Sequence, residues 1–109
     1  MSGSARLSAA QQRQRRRRWE ALRGRLAALD WLCQGSLFRV PPGAWRWTRK
    51  RRGKTVTVAI SSPQAQLLRR AIANQRHAER LLSQMREISE EIVLGSAPGV
   101  RRRRRRKSS

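Results

Sequence analysis

Six cations crowd into the nine residues Arg46-Trp47-Thr48-Arg49-Lys50-Arg51-Arg52-Gly53-Lys54, with no carboxylate among them. Guanidinium groups are planar forks that match phosphate oxygens, and a tight turn at Gly53 would present them on a two-stranded ribbon. A ribbon of that kind fits the major groove of a duplex. The competing reading is a solvated turn whose charge keeps an edge strand from aggregating. Arg39, one predicted strand earlier, extends the cluster. A second group comprises Arg13 and the run Arg15, Arg16, Arg17 and Arg18 at a predicted helix start. The helix dipole disfavours cations there, so these side chains read as ligand-facing or as a frayed, solvated end. A third run, Arg101 to Lys107, reads as a flexible electrostatic arm.

Other chemistry is scarce. The chain holds six Asp+Glu, one His and one Cys. The carboxylate sets used for metal-assisted phosphoryl transfer cannot be assembled from these. Glu87, Glu90 and Glu91 lie on adjacent turns and could face a cation, but helical salt bridges are the commoner use of such residues. Cys33 alone can form neither an intrachain disulfide nor a Cys-rich zinc site, and its apolar neighbours suit packing. Four tryptophans invite comparison with base-stacking proteins. Trp45 and Trp47, however, alternate with polar residues as core-facing strand positions do, and Trp19 and Trp31 fall among leucines. The expectation is a protein that is not an enzyme, with no cofactor, no metal and no small-molecule substrate.

Charge then identifies the partner class. Of 109 residues, 27 are Lys or Arg, and the formal net charge is +21. A polyanion is the natural stabilising partner for such self-repulsion. The excess is uneven: residues 35–60 carry seven basic and no acidic residues, whereas 61–94 carry five basic and four acidic. The nearly neutral segment reads as the packing element and its flanks as anion-binding surfaces. No apolar run approaches a bilayer span and no secretory signal is visible, so the expectation is a cytoplasmic protein with no membrane partner.

The elements that must position these residues follow from periodicity. Trp19, Leu22, Leu26, Leu29 and Cys33 recur at 3 and 4, which predicts a helix from about Gln12 to Gln34, stopped by Gly35. Short β-branched and aromatic runs follow at 36–40, 45–49 and 54–60, separated by Pro41-Pro42-Gly43 and Arg51-Arg52-Gly53. Aligning apolar positions predicts an antiparallel meander with Phe38, Val40, Trp45, Trp47, Val56, Val58 and Ile60 on one side. Arg39, Arg46, Thr48, Thr55 and Thr57 would share the other, forming a continuous cationic face. Ser61 and Gln64 can form a capping box, with Pro63 in the first turn. Beyond it, Leu67, Ala71, Asn74, Ala78, Leu81, Met85, Ile88 and Ile92 make a heptad seam with one polar member, ended by Gly95. The fold class is α+β: helix, three-stranded meander, long helix. A single small domain is expected over 13–94, with disordered ends at 1–12 and 95–109.

Gly35-Ser36-Leu37 leading into a strand, Gly53-Lys54-Thr55 opening another, and the helix from Ala73-Asn74-Gln75-Arg76 to Met85-Arg86-Glu87-Ile88 form a recognisable pattern. Over about residues 33–94 it resembles a small prokaryotic family, a domain of unknown function often encoded beside transposases or on mobile elements. Many of those relatives carry a Cys-rich segment between the first two strands. Here Pro41-Pro42-Gly43 takes that place, so a metal role is not implied. The resemblance implies no activity and no functional residues, but it agrees with a nucleic-acid partner.

Two functions are therefore expected in competition. One is a non-catalytic DNA- or RNA-binding accessory, associated with a mobile element, contacting phosphates through Arg39, Arg46, Arg49, Lys50, Arg51, Arg52 and Lys54, helped by Arg15–Arg18. The other is an interaction module that uses the heptad seam to form a homodimer or to grip a transposase-like protein, the charge then being mainly solubilising.

Overall fold

A computed structural model describes residues 7–100 of the chain. The runs 1–6 and 101–109, including the Arg101–Lys107 arm, lie outside the described residues. The element order is α1 (Ala9–Ala27), β1 (Ser36–Val40), β2 (Ala44–Arg51), β3 (Lys54–Ile60) and α2 (Ser62–Gly95). This is the α+β arrangement that the periodicity implies. Contacts divide the described residues into two compact units. One unit comprises the described residues up to Arg25 and from Leu81 onward; the other comprises Leu26–Arg80.

In the first unit α1 runs antiparallel to the end of α2. Ser8 and Gln11 form a capping box, the Gln11 amide donating to Ser8 Oγ at 3.1 Å and the Ser8 amide to Gln11 Oε1 at 2.8 Å. That cap starts the helix at Ala9, earlier than composition suggests, so residues 9–12 are helical rather than disordered. The Leu7 amide donates to the Gly95 carbonyl at 3.1 Å, and Arg15 pairs with Glu91 at 2.9 Å. Leu22, Leu81, Met85 and Ile88 are buried, Leu81 almost completely at 1 % exposure. A leucine side chain so enclosed contributes about 2–3 kcal/mol of transfer free energy.

In the second unit the sheet order is β1-β2-β3, antiparallel throughout. Arg52 and Gly53 form the turn between β2 and β3 with φ of 53° and 80°. Left-handed values at both central positions suit the right-handed twist of the strands and favour glycine at the second. The capping box at α2 forms as its sequence implies: Ser61 N donates to Gln64 Oε1 at 2.9 Å, and Gln64 N donates to Ser61 Oγ at 3.2 Å. Ala65, Leu68, Ala71, Ile72 and Ala78 of α2 are buried, while Leu67 turns outward at 57 % exposure.

Two sequence expectations are corrected here. The first helix ends at Ala27 rather than near Gln34, so Leu29, Trp31 and Cys33 lie in an extended connector, with Trp31 70 % exposed. Hydrogen bonds to α2 replace those of a longer helix. Asn74 Nδ2 donates to the Asp30 carboxylate and, at 3.2 Å, to the Trp31 carbonyl; the Cys33 amide donates to the Ala71 carbonyl at 3.1 Å. Arg70 pairs with Asp30 as well. The second correction concerns β1. Its residues Leu37 and Arg39 oppose Trp47 and Trp45, whereas Phe38 opposes Arg46 and Val40 opposes Ala44. Phe38 and Val40 therefore share the face of Arg46 and Thr48, and Arg39 shares the tryptophan face. Three loop residues between Val40 and Ala44 set this register, and a shift of one residue would have exchanged the faces.

Candidate nucleic-acid interface

Strand alternation in the second unit apportions the cations of the meander. Trp45, Trp47, Val58 and Ile60 lie on the side that meets the first half of α2, where Trp47 and Ile60 line an apolar groove with Leu68 and Ala71. The same side carries Arg39, Arg49, Arg51 and Lys54. The other side carries Arg46 and Lys50 with Thr48, Thr55, Thr57 and Phe38. The single continuous cationic face expected from sequence does not form. What gathers instead is the tip of the hairpin, where Lys50, Arg51, Arg52 and Lys54 are all exposed.

Each cation has a distinct setting. The Arg49 guanidinium lies over the Trp47 ring at 4.0 Å from its centroid, and its Nη1 is buried without a hydrogen-bond partner. Trp47 is itself held by donating Nε1–H to the Gln34 carbonyl at 2.9 Å. Arg49 is thus committed to packing, and cation–π attraction offsets its partial desolvation. Arg39 lies over Trp45 at 5.4 Å, and its guanidinium also rests against Gly43. Arg46 and Thr48 are half-buried within the outer face, where Thr57 and Thr48 join by a hydroxyl hydrogen bond of 3.0 Å. Gly35, at the entry to β1, has φ +114°, and a side chain there would collide with the Thr48 carbonyl and Trp47 Nε1.

Among the described residues no carboxylate balances this charge. The ion pairs they form are Arg15 with Glu91, Arg23 with Glu20, and Arg70 with Asp30. None involves a residue of the sheet, and residues 35–60 contain no Asp or Glu. The arginine cluster of α1 is split differently. Arg15 is engaged with Glu91 and its side chain is 25 % exposed, whereas Arg16, Arg17 and Arg18 stand in solvent. Glu91, singled out with Glu87 and Glu90, serves that pair. Among the described residues no three His, Cys, Asp or Glu side chains gather where an ion could be held.

The heptad seam is largely covered within the chain. Ala71, Ala78, Leu81, Met85 and Ile88 are buried, Asn74 and Ile92 are half-buried, and Leu67 is the exposed member. Sequence reasoning missed Arg69 and Arg76 of α2, which line a cleft with the start of β1; Arg69 lies over Trp45 at 5.4 Å. Their seven-residue spacing, placing both on one helix face, was the available signal. No helix of the described residues is long and apolar enough to cross a membrane. Comparison of the chain with protein-family profiles, curated proteins and solved structures finds no match.

Proposed function

We propose that the protein is a non-catalytic nucleic-acid-binding accessory, cytoplasmic and nucleoid-associated if its target is DNA. The hairpin tip would contact phosphates through Lys50, Arg51, Arg52 and Lys54, with Arg46 beside it on the outer face and Arg16–Arg18 contributing from α1. One observation carries this reading: the exposed tip has no carboxylate of the described residues within ion-pair distance, although ion pairs form elsewhere in the chain. Phosphate is the counterion that such forks fit, and contacts to it carry affinity without requiring base readout. The resemblance to transposase-neighbouring proteins agrees with this partner class.

The test is a titration of duplex DNA, single-stranded DNA and structured RNA against salt. Six to ten phosphate contacts lower affinity about 10³–10⁵-fold between about 50 and 200 mM salt. Replacing Lys50, Arg51, Arg52 and Lys54 by Gln should flatten that dependence. Weak binding that ignores salt on all three ligands would remove the reading.

The second reading, an interaction module, is favoured by a different observation. Trp31 and Leu67, 70 % and 57 % exposed, both line the apolar groove beside Trp47 and Ile60. A homodimer or a transposase-like protein would then be met at that groove, since the seam itself is occupied. Changing Leu67 to Asp would abolish such assembly and leave polyanion binding intact.

A further inference from the structure

The sheet unit holds a second cationic feature, away from the hairpin tip. A cleft of about 390 Å³ opens between the start of β1 and α2, with Ser36 and Leu37 on one wall and Arg69, Ile72 and Arg76 on the other. Trp45 forms part of its lining. Two guanidinium groups converge on that ring, those of Arg39 and Arg69, each 5.4 Å from the centroid. Their carbons therefore lie within twice that distance of one another. Arg76 follows Arg69 by seven residues, about 10 Å along the helix on the same face.

Among the described residues none of the three arginines has a carboxylate partner. The nearest candidate in sequence, Glu79, shares a neighbouring pocket with Arg76 but accepts a hydrogen bond from Gln75 Nε2 at 2.9 Å and makes no ion pair. This positive charge is unbalanced by carboxylates among the described residues, and an anion bound in the cleft would lower the repulsion between the guanidinium groups. The Trp45 ring restrains two long side chains that would otherwise lose rotamer freedom on binding, and Gly43 leaves room for the Arg39 guanidinium beside it. With two guanidinium groups over it, the ring serves to orient forks rather than to stack a base.

We propose that this cleft is a phosphate-binding site, in which Arg69 and Arg76 fork onto phosphoryl oxygens of a nucleic-acid backbone, Trp45 positions Arg69, and Arg39 adds positive charge from beside Gly43. The choice of a nucleic-acid source rests on the proposed function; the phosphate chemistry rests on the cleft alone. Phosphate is favoured over a peptide carboxylate because two forks about 10 Å apart along one helix face match repeated, identical anions.

The experiment uses the full chain in four forms: unchanged, Arg69→Gln with Arg76→Gln, Arg69→Lys, and the hairpin variant with Gln at 50, 51, 52 and 54. Affinity for a short duplex and for oligothymidylate is followed against salt, and pyrophosphate alone is titrated against tryptophan fluorescence. The cleft variant should lose about 1.4–1.8 units of salt slope, two contacts' worth, while the hairpin variant keeps that portion. Arg69→Lys, which retains charge but not the planar fork, should keep the slope and lose affinity severalfold. The unfolding midpoint of each variant, compared with the unchanged chain, separates loss of contact from loss of fold. Pyrophosphate binding that depends on Arg69 and Arg76, with no oligonucleotide binding, would keep the phosphate site and overturn its nucleic-acid source. An unchanged slope and an unchanged pyrophosphate response in the cleft variant would overturn the site and leave the hairpin reading standing. A glutamate-rich peptide, titrated in the same way, that binds in preference to both phosphate probes would overturn it as well.

Discussion

Asn74 Nδ2 bonds the Asp30 carboxylate and the Trp31 carbonyl, so the polar member of the heptad seam is an anchor for the connector. In an isolated coiled coil a polar residue at such a position selects register. Here it stops the first helix from continuing by taking hold of the residues that follow it. Asn74→Leu would improve the seam by pattern alone. The structure predicts the reverse: loss of about 1–2 kcal/mol, because the Trp31 carbonyl loses this donor and Asp30 is left with Arg70 in place of two partners. Denaturant unfolding of the variant measures the sign.

Two glycines predict opposite outcomes for one substitution. Gly24 lies in α1 with open space around it, and a methyl group there would meet nothing within 4 Å, so Gly24→Ala should stabilise by about 1 kcal/mol through helix propensity. Gly35→Ala meets the Thr48 carbonyl at a backbone angle of +114° and should destabilise by about 3 kcal/mol. Thermal melts of the pair check both signs at once.

Arg52 occupies a left-handed position with φ 53°, which residues with longer side chains adopt at a cost. Asn tolerates it better, so Arg52→Asn should stabilise the hairpin by about 0.5–1 kcal/mol. The same change removes an exposed cation and should reduce the salt slope of duplex binding by about 0.9. Stability up and binding down in one variant would separate the strain from the charge.

Neighbouring arginines of α1 should behave differently. Arg15→Ala breaks a partly exposed pair with Glu91 and should cost up to about 1 kcal/mol of stability, with the salt slope of binding unchanged. Arg17→Ala removes an exposed side chain that forms no ion pair among the described residues. It should alter stability by less than about 0.5 kcal/mol while lowering the slope by about 0.9. Equal effects of the two on binding would contradict the placement.

Leu81 tests whether the seam is internal. Leu81→Ala should cost about 2–5 kcal/mol, since the side chain is 1 % exposed within one chain. That loss should be the same across protein concentrations, as measured by unfolding midpoints at several dilutions. A concentration-dependent loss would mean that a second copy covers this position.

Local periodicity and local chemistry determined much of this protein without any tertiary information. The alternation in Lys54–Ile60, the capping box at Ser61 and Gln64, the turn at Gly53 and the stripe from Ala71 to Ile92 each depend on residues a few positions apart. The absence of acid between 35 and 60, which makes the hairpin tip a candidate site, is equally a property of composition. Tertiary structure alone decided three things. Ser36-Leu37-Phe38-Arg39-Val40 has apolar residues at both parities, so only the register imposed by the loop to Ala44 chose its face. The end of α1 was set by Asp30, Trp31 and Cys33 finding partners roughly 40 residues away on α2, which no spacing rule within the helix contains. The grouping of Arg39 with Arg69 over Trp45 required a strand, its neighbour and a distant helix to meet. Periodicity specifies which residues share an element's face, but which face is buried, and against what, depends on burial and hydrogen bonding between elements far apart in sequence.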